Sequence, residues 1–308
     1  MGRVLMLFLD GVGIGTRDPS VNPLFAARMP ALRSMLGGDL PSLRRRRITS
    51  PEGAVLPLDA TLGVPGLPQS GTGQTSLFTG VNGAALAGKH FGPYPYSTLK
   101  PVIATRSIFR RLRDAGKSPL FANAFPRRFF EYVESHRGRM TVTTLSCATG
   151  GVPLLRAGDL LRGKAVSADI TNAAWHGLGY PDIPVIAPEV AGERLAGLSR
   201  EHEFVLFEYW KTDKAGHAMN APESVSALET LDAMLSGILR AFDAARTLLL
   251  ITSDHGNIED LSVKTHTRHP VPLVVGGAGS SKFAGRFGPG ADLTDVCPAL
   301  LEYIGIGR

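Results

Sequence analysis

Three aspartates stand just past short apolar runs: Asp10 after Arg3 to Leu9, Asp213 after Phe204 to Trp210, and Asp254 after Thr247 to Thr252. Carboxylates gathered at one edge repel one another and lose hydration, so bringing them together is costly unless a cation compensates. Each alone suits a helix N-cap; three at equivalent positions point to metal. Histidines accompany them. Asp213 and His217 are spaced i and i+4, which puts both on one face of a helix, and Gly216 leaves room for close approach. His255 follows Asp254 directly, and His266 lies in Thr265-His266-Thr267. Mixed His and Asp donors suit zinc, manganese or iron better than calcium.

A fourth part lies in Gln69-Ser70-Gly71-Thr72-Gly73-Gln74-Thr75-Ser76. Small hydroxyl and glycine residues open a helix here, and a helix N-terminus offers free amides to a phosphate. A serine at that place, ionised by a metal, can attack phosphorus. The segment lacks the Gly-Lys-Ser/Thr ending of a nucleotide-binding P-loop.

The elements that must position these residues follow from the apolar pattern. Arg3 to Leu9, Phe204 to Trp210 and Thr247 to Thr252 read as buried strands, with Lys117 to Asn123 and Val271 to Val275 as two more. Ser107 to Ala115, Pro188 to Leu198, Ser224 to Ala244 and Asp295 to Ile304 carry helical spacing. Strands alternating with helices predict an α/β fold: a doubly wound, mostly parallel sheet with helices on both faces and at most a small cap. Ligands of such sheets bind beyond the carboxyl ends of the strands, where the three aspartates stand. Residues 1–308 read as one domain. Residues 125–161 read as a small insertion or lid, or as an irregular surface excursion.

Composition is that of a soluble globular chain: 308 residues, 44% hydrophobic and 19% charged. No targeting segment and no membrane span are expected, which predicts a cytoplasmic protein. Cys147 and Cys297 match no metal or redox spacing and read as unpaired thiols. The net charge of +6 includes the run Arg44 to Arg47, which has no aromatic residues interleaved and no nucleic-acid module around it. A basic surface draws anionic substrates instead.

Taken in order, several motifs resemble the metalloenzyme branch of the alkaline phosphatase superfamily, with cofactor-independent phosphoglycerate mutase and phosphopentomutase as its nearest named types. They are Leu9-Asp10-Gly11-Val12-Gly13, Ser70 with Gly73, Asp213-Lys214-Ala215-Gly216-His217, Asp254-His255-Gly256-Asn257, and His266-Thr267 before Pro270-Val271-Pro272. The resemblance implies an alkaline phosphatase-like fold with two divalent metal ions, manganese or zinc. One would be held by Asp10, Ser70, Asp254 and His255, the other by Asp213, His217 and His266. Ser70 takes the nucleophile position, with Thr72 as the chemical runner-up. His269 falls where relatives often have asparagine and is left out of the ligand set. Gln74 falls where the mutases have histidine.

The expected function is phosphoryl transfer on a small phosphorylated metabolite through a serine nucleophile, with no nucleic-acid or membrane partner. The mutases carry a large inserted domain that encloses their substrate. Little chain is left for one here, and a poorly enclosed phosphoenzyme is open to water. That favours a phosphatase or phosphodiesterase, with a phosphomutase as the alternative. A non-catalytic metal-binding protein is the reading from another class, but no ligand is missing. A sulfatase is disfavoured because Ser70 lacks the Cys/Ser-x-Pro-x-Arg context. Substrate contacts are sought at Thr72, Gln74, Lys89, His90, Arg127 and Arg128.

Overall fold

A computed structural model describes residues 2–135 and 138–307. Ten strands are described: β1 (Arg3–Leu9), β2 (Ile48–Thr49), β3 (Gly53–Leu58), β4 (Pro119–Phe121), β5 (Asn123–Phe125), β6 (Leu155–Arg156), β7 (Val166–Ser167), β8 (Phe204–Tyr209), β9 (Thr247–Thr252) and β10 (Val271–Gly277). Seven form the central sheet in the order β2-β3-β10-β9-β1-β8-β4. The four strands β9, β1, β8 and β4 run parallel. An antiparallel margin of β10, β3 and β2 extends it on one side. β3 was not foreseen from the sequence; Pro57 and the short run Gly53 to Leu58 give a weak strand signal, and pairing with β10 supplies what propensity does not.

β1 shows why the apolar runs are continuous. Val4, Met6 and Phe8 face one layer, and Leu5, Leu7 and Leu9 the other. Helices cover both faces, so neither side is free for polar residues. On the first face lie the helices Ser70–Thr79, Ile108–Asp114, Val142–Thr149 and Val296–Ile304; on the second lie Pro188–Glu201 and Ala221–Ala241. The last two pack closely because Gly192 and Gly237 admit the partner backbone: a Cβ on either would meet a carbonyl oxygen at 2.0 Å.

Register aligns the strand ends. Leu9 lies beside Tyr209 and Phe8 beside Thr252, so the loops after β1, β8 and β9 leave from one edge. A second, three-stranded parallel sheet, β6-β5-β7, has its own small core of Ala124, Leu160, Ala165, Trp175 and Ile183. Residues 125–161 contain the helices Arg127–Glu134 and Val142–Thr149 together with β6 and Ala157–Leu161. Among the described residues no helix is long and apolar enough to cross a membrane. Both cysteines are free and buried.

Candidate metal centre

Six side chains from the segments that follow β1, β8 and β9 meet at the carboxyl edge of the parallel strands as two triads. Asp10, Asp254 and His255 form one, and Asp213, His217 and His266 the other; within each, the donor atoms all lie within 4.8 Å of one another. In the first triad His255 Nε2 lies 3.3 Å from Asp10 Oδ1 and 3.6 Å from Asp254 Oδ2. Ser70 Oγ is 3.0 Å from the same nitrogen. Ser70 is the first residue of its helix, and Gly73 is required there because a Cβ would sit 2.6 Å from the Asp254 carbonyl oxygen. In the second triad His217 Nε2 lies 3.4 Å from Asp213 Oδ2, and His266 Nε2 lies 3.6 Å from Asp213 Oδ1. Helix Lys211–Ala218 supplies the predicted i, i+4 pair. The two triads adjoin: the His255 and His266 rings stack with centroids 3.8 Å apart.

The donor set fits cations on the structure's own terms. His217 Nδ1 lies 3.0 Å from the Lys264 carbonyl oxygen and His266 Nδ1 lies 2.7 Å from that of Pro68. Donation to those carbonyls puts the ring proton on Nδ1 in both, which leaves each Nε2 as a lone pair. Those two nitrogens face each other at 3.1 Å, an arrangement that needs positive charge between them. Asp10 Oδ1 is buried without a hydrogen-bond partner.

Electrostatics give the same reading. Burial, with Asp254 nearby, holds the Asp10 carboxyl well above the usual carboxylate range. Burial also raises Asp254. Burial works against the His255 imidazolium, yet Asp254 and Asp10 outweigh it and lift it to about 10. Burial and then His255 press His266 down to about 4. Burial, with repulsion between the carboxylates added to it, raises both acids, and a bound cation would oppose that.

Residues 188–308 match the family model described as Metalloenzyme superfamily. The chain is 34% identical over 127 residues to the 2,3-bisphosphoglycerate-independent phosphoglycerate mutase of Chloroflexus aurantiacus, a match covering 38% of this chain and 24% of that protein. It thus spans about a quarter of the length of the curated relatives it matches. The fold is similar over all of this chain to the PH0037 protein of Pyrococcus horikoshii, with a TM-score of 0.56, 14% identity and 99% of that chain covered. It is also similar to alkaline phosphatase from the Antarctic bacterium TAB5, with a TM-score of 0.50, 11% identity, and 99% and 98% of the two chains covered. Residues 188–308 thus carry the Metalloenzyme superfamily pattern, on a fold similar to that of alkaline phosphatase.

In this fold the remaining sequence candidates fall in different places. Gln74 Nε2 donates to Asp254 Oδ2 at 3.0 Å, and its Oε1 is buried without a partner. Thr72 Oγ1 donates to the Gln69 carbonyl and accepts from Phe91 N–H. Lys89 and His90 line, with Gln69, an open cleft of about 440 Å³ beside Ser70; the Lys89 ammonium lies over the Phe91 and Tyr96 rings. Arg127 is exposed and paired with Glu131 at 3.2 Å, and Arg128 is exposed. Among the described residues neither arginine bonds to a residue of either triad. His269 Nδ1 lies 3.1 Å from Glu259 Oε1, outside both triads.

Two residues escaped the sequence reading. Glu259 is buried and accepts from Gly13 N–H, Asn257 N–H, Thr267 Oγ1 and His269 Nδ1. It therefore ties the loop after β1, which carries Asp10, to two stretches of the β9–β10 connection, which carry Asp254 with His255 and His266. Glu208, near the end of β8, is the other. Its signal was a lone acid inside an apolar strand. Thr143 Oγ1 donates to its Oε2 at 2.7 Å, while burial raises its carboxyl to about 7.

Glu208 gives a stability prediction. A carboxyl raised from its ordinary 4.5 to about 7 on folding costs the fold about 3 kcal/mol once both states are ionised. Because the folded value lies above the unfolded one, that stability is lost as pH rises between those two values and is untouched below them. In metal-stripped protein, the stability of Glu208→Gln relative to wild type is expected to be about 3 kcal/mol greater at pH 8 than at pH 4. Urea unfolding at the two pH values measures this; an equal difference at both would refute the burial argument.

Proposed function

We propose that this chain is a two-metal phosphoryl-transfer enzyme that hydrolyses phosphate esters of small metabolites through Ser70. The observation that carries the reading is the hydroxyl of Ser70 at a helix N-terminus, 3.0 Å from His255 at the junction of two metal-type triads. Asp10, Asp254, His255 and Ser70 would hold one divalent ion, and Asp213, His217 and His266 the other, with manganese or zinc suited to the mixed donors. Such ions supply Lewis-acid charge to phosphate oxygens and favour ionisation of the serine hydroxyl.

The chain's own groups carry the rest. Ser70 Oγ loses its proton and forms a bond to phosphorus as the ester P–O bond opposite breaks, and the alcohol leaves with a proton from solvent. Amides at the start of the Ser70–Thr79 helix face the charge on the phosphoryl oxygens. Water then attacks the phosphoserine, releasing phosphate and restoring Ser70. Gln74 fixes Asp254, and Asn257 Nδ2 fixes Asp213 Oδ1 at 2.7 Å. We propose residues 125–161 as a small cap beside the site, with Lys89 and His90 at its mouth.

Hydrolysis is favoured by the openness of the second triad, where the His217 side chain is 43% exposed. A phosphomutase, returning the phosphoryl group to another substrate hydroxyl, is supported by the mutase relatives. A screen of phosphomonoesters, diesters and sugar phosphates with manganese or zinc, scoring free phosphate and isomerised ester, separates the two. Phosphate release is expected. Isomer without release would replace the hydrolase with the mutase, and neither product would overturn the enzyme reading.

A further inference from the structure

A cavity of about 480 Å³ lies between residues 91–100 on one side and Val133 with residues 138–145 on the other. Ligand pockets commonly span about 300–1,000 Å³. One wall rests against the helix that carries Ser70. On one side the Phe91 carbonyl accepts from Thr72 N–H, and the Tyr94 carbonyl would lie 2.3 Å from a Cβ on Gly71, so this wall rests on the first turn of the Ser70 helix. On the other side is the start of the helix Val142–Thr149, whose Leu145 lines the cavity and whose Thr143 donates to Glu208 near the end of β8.

The lining is of two kinds. Phe91, Tyr94 and Tyr96 offer ring surface, and Leu145 extends it with aliphatic surface. Lys100 and Arg139 bring two cations. Arg139 lies over the Tyr94 ring at 5.7 Å, and neither cation pairs with a carboxylate among the described residues. Rings beside unpaired cations suit a ligand with a flat apolar body and a negative charge at its far end. A small polyol would leave the rings wet.

We propose that this cavity takes the alcohol part of the phosphate ester, and that it selects a flat apolar group carrying a second anion. The inference rests on the phosphoryl-transfer reading of the adjoining site. It assigns Lys100 and Arg139, which line the cavity, to substrate selection in place of Arg127 and Arg128, which do not.

Inert probes test it without turnover. Methylphosphonate, phenylphosphonate and 4-carboxyphenylphosphonate are titrated calorimetrically into the metal-loaded full chain. Phenylphosphonate is expected to bind tighter than methylphosphonate, and the carboxylated probe about tenfold tighter again, as a charge-assisted contact would give. In Lys100→Ala/Arg139→Ala, two exposed positions whose loss leaves the core intact, the carboxylate advantage falls below about threefold. Equal affinity of the two aryl probes in wild type overturns the proposal. So does an advantage that survives the double substitution, or absence of aryl-probe binding where inorganic phosphate binds. The same titration on Ser70→Ala separates the two readings: normal turnover by that variant with the probe preference kept would discard the nucleophile and leave the cavity assignment standing.

Discussion

Ser70→Ala is expected to keep its fold and its metal and to lose turnover, with kcat down by about 10³-fold or more, a transition-state loss of about 4 kcal/mol or greater. The side chain is buried, and among the described residues its hydroxyl hydrogen-bonds to His255. Alanine fits the space, so the change removes the attacking oxygen and little else. Asp10, Asp254 and His255 remain as a triad of donors without it. Rates of phosphate release measured beside metal content by mass spectrometry give the answer. Undiminished turnover would remove Ser70 from the chemistry, and loss of both metal and activity would make it a ligand first.

Glu259→Ala is expected to have the largest effect on stability. Two backbone amides, the Thr267 hydroxyl and His269 would lose one buried acceptor together. Each buried donor left unpaired costs about 1–3 kcal/mol, and partial rehydration of four leaves a loss of about 4 kcal/mol. The cost is more than thermodynamic, because the two loops it joins carry donors of both triads. Metal affinity should fall by about 10–100-fold, as when groups that orient ligands are removed. Glu259→Gln keeps the shape and one acceptor oxygen, so it should fall between. Urea unfolding and chelator competition measure the two effects. Stability within 1 kcal/mol of wild type together with unchanged metal affinity would show that the loops hold their positions without this carboxylate.

The site was legible in the sequence to the extent that backbone periodicity is. A strand buried on both faces has to be apolar throughout, so β1, β8 and β9 announce themselves and so does the point where each ends. An α-helix brings residues four apart together, so Asp213 and His217 pair from spacing alone. Ser70 before a glycine at the start of a helix is local for the same reason. Gln74 was legible only as a departure from a resemblance; its bond to Asp254 crosses 180 positions.

What the amino-acid order determined is therefore the run of each strand, the helix that offers Ser70, and which residue types stand at the strand ends. Tertiary structure alone decided that His266 turns its Nε2 toward His217, because a carbonyl of Pro68 takes the proton on its other nitrogen. It decided that Glu259 clamps the loop after β1 to the β9–β10 connection and that Lys100 and Arg139 share a cavity with three rings. The physical reason is range. Local pattern is written by steric and hydrophobic period along the chain, whereas hydrogen-bond partners and buried charge are set by whichever atoms the closed sheet brings within about 3 Å, however far apart they lie in sequence.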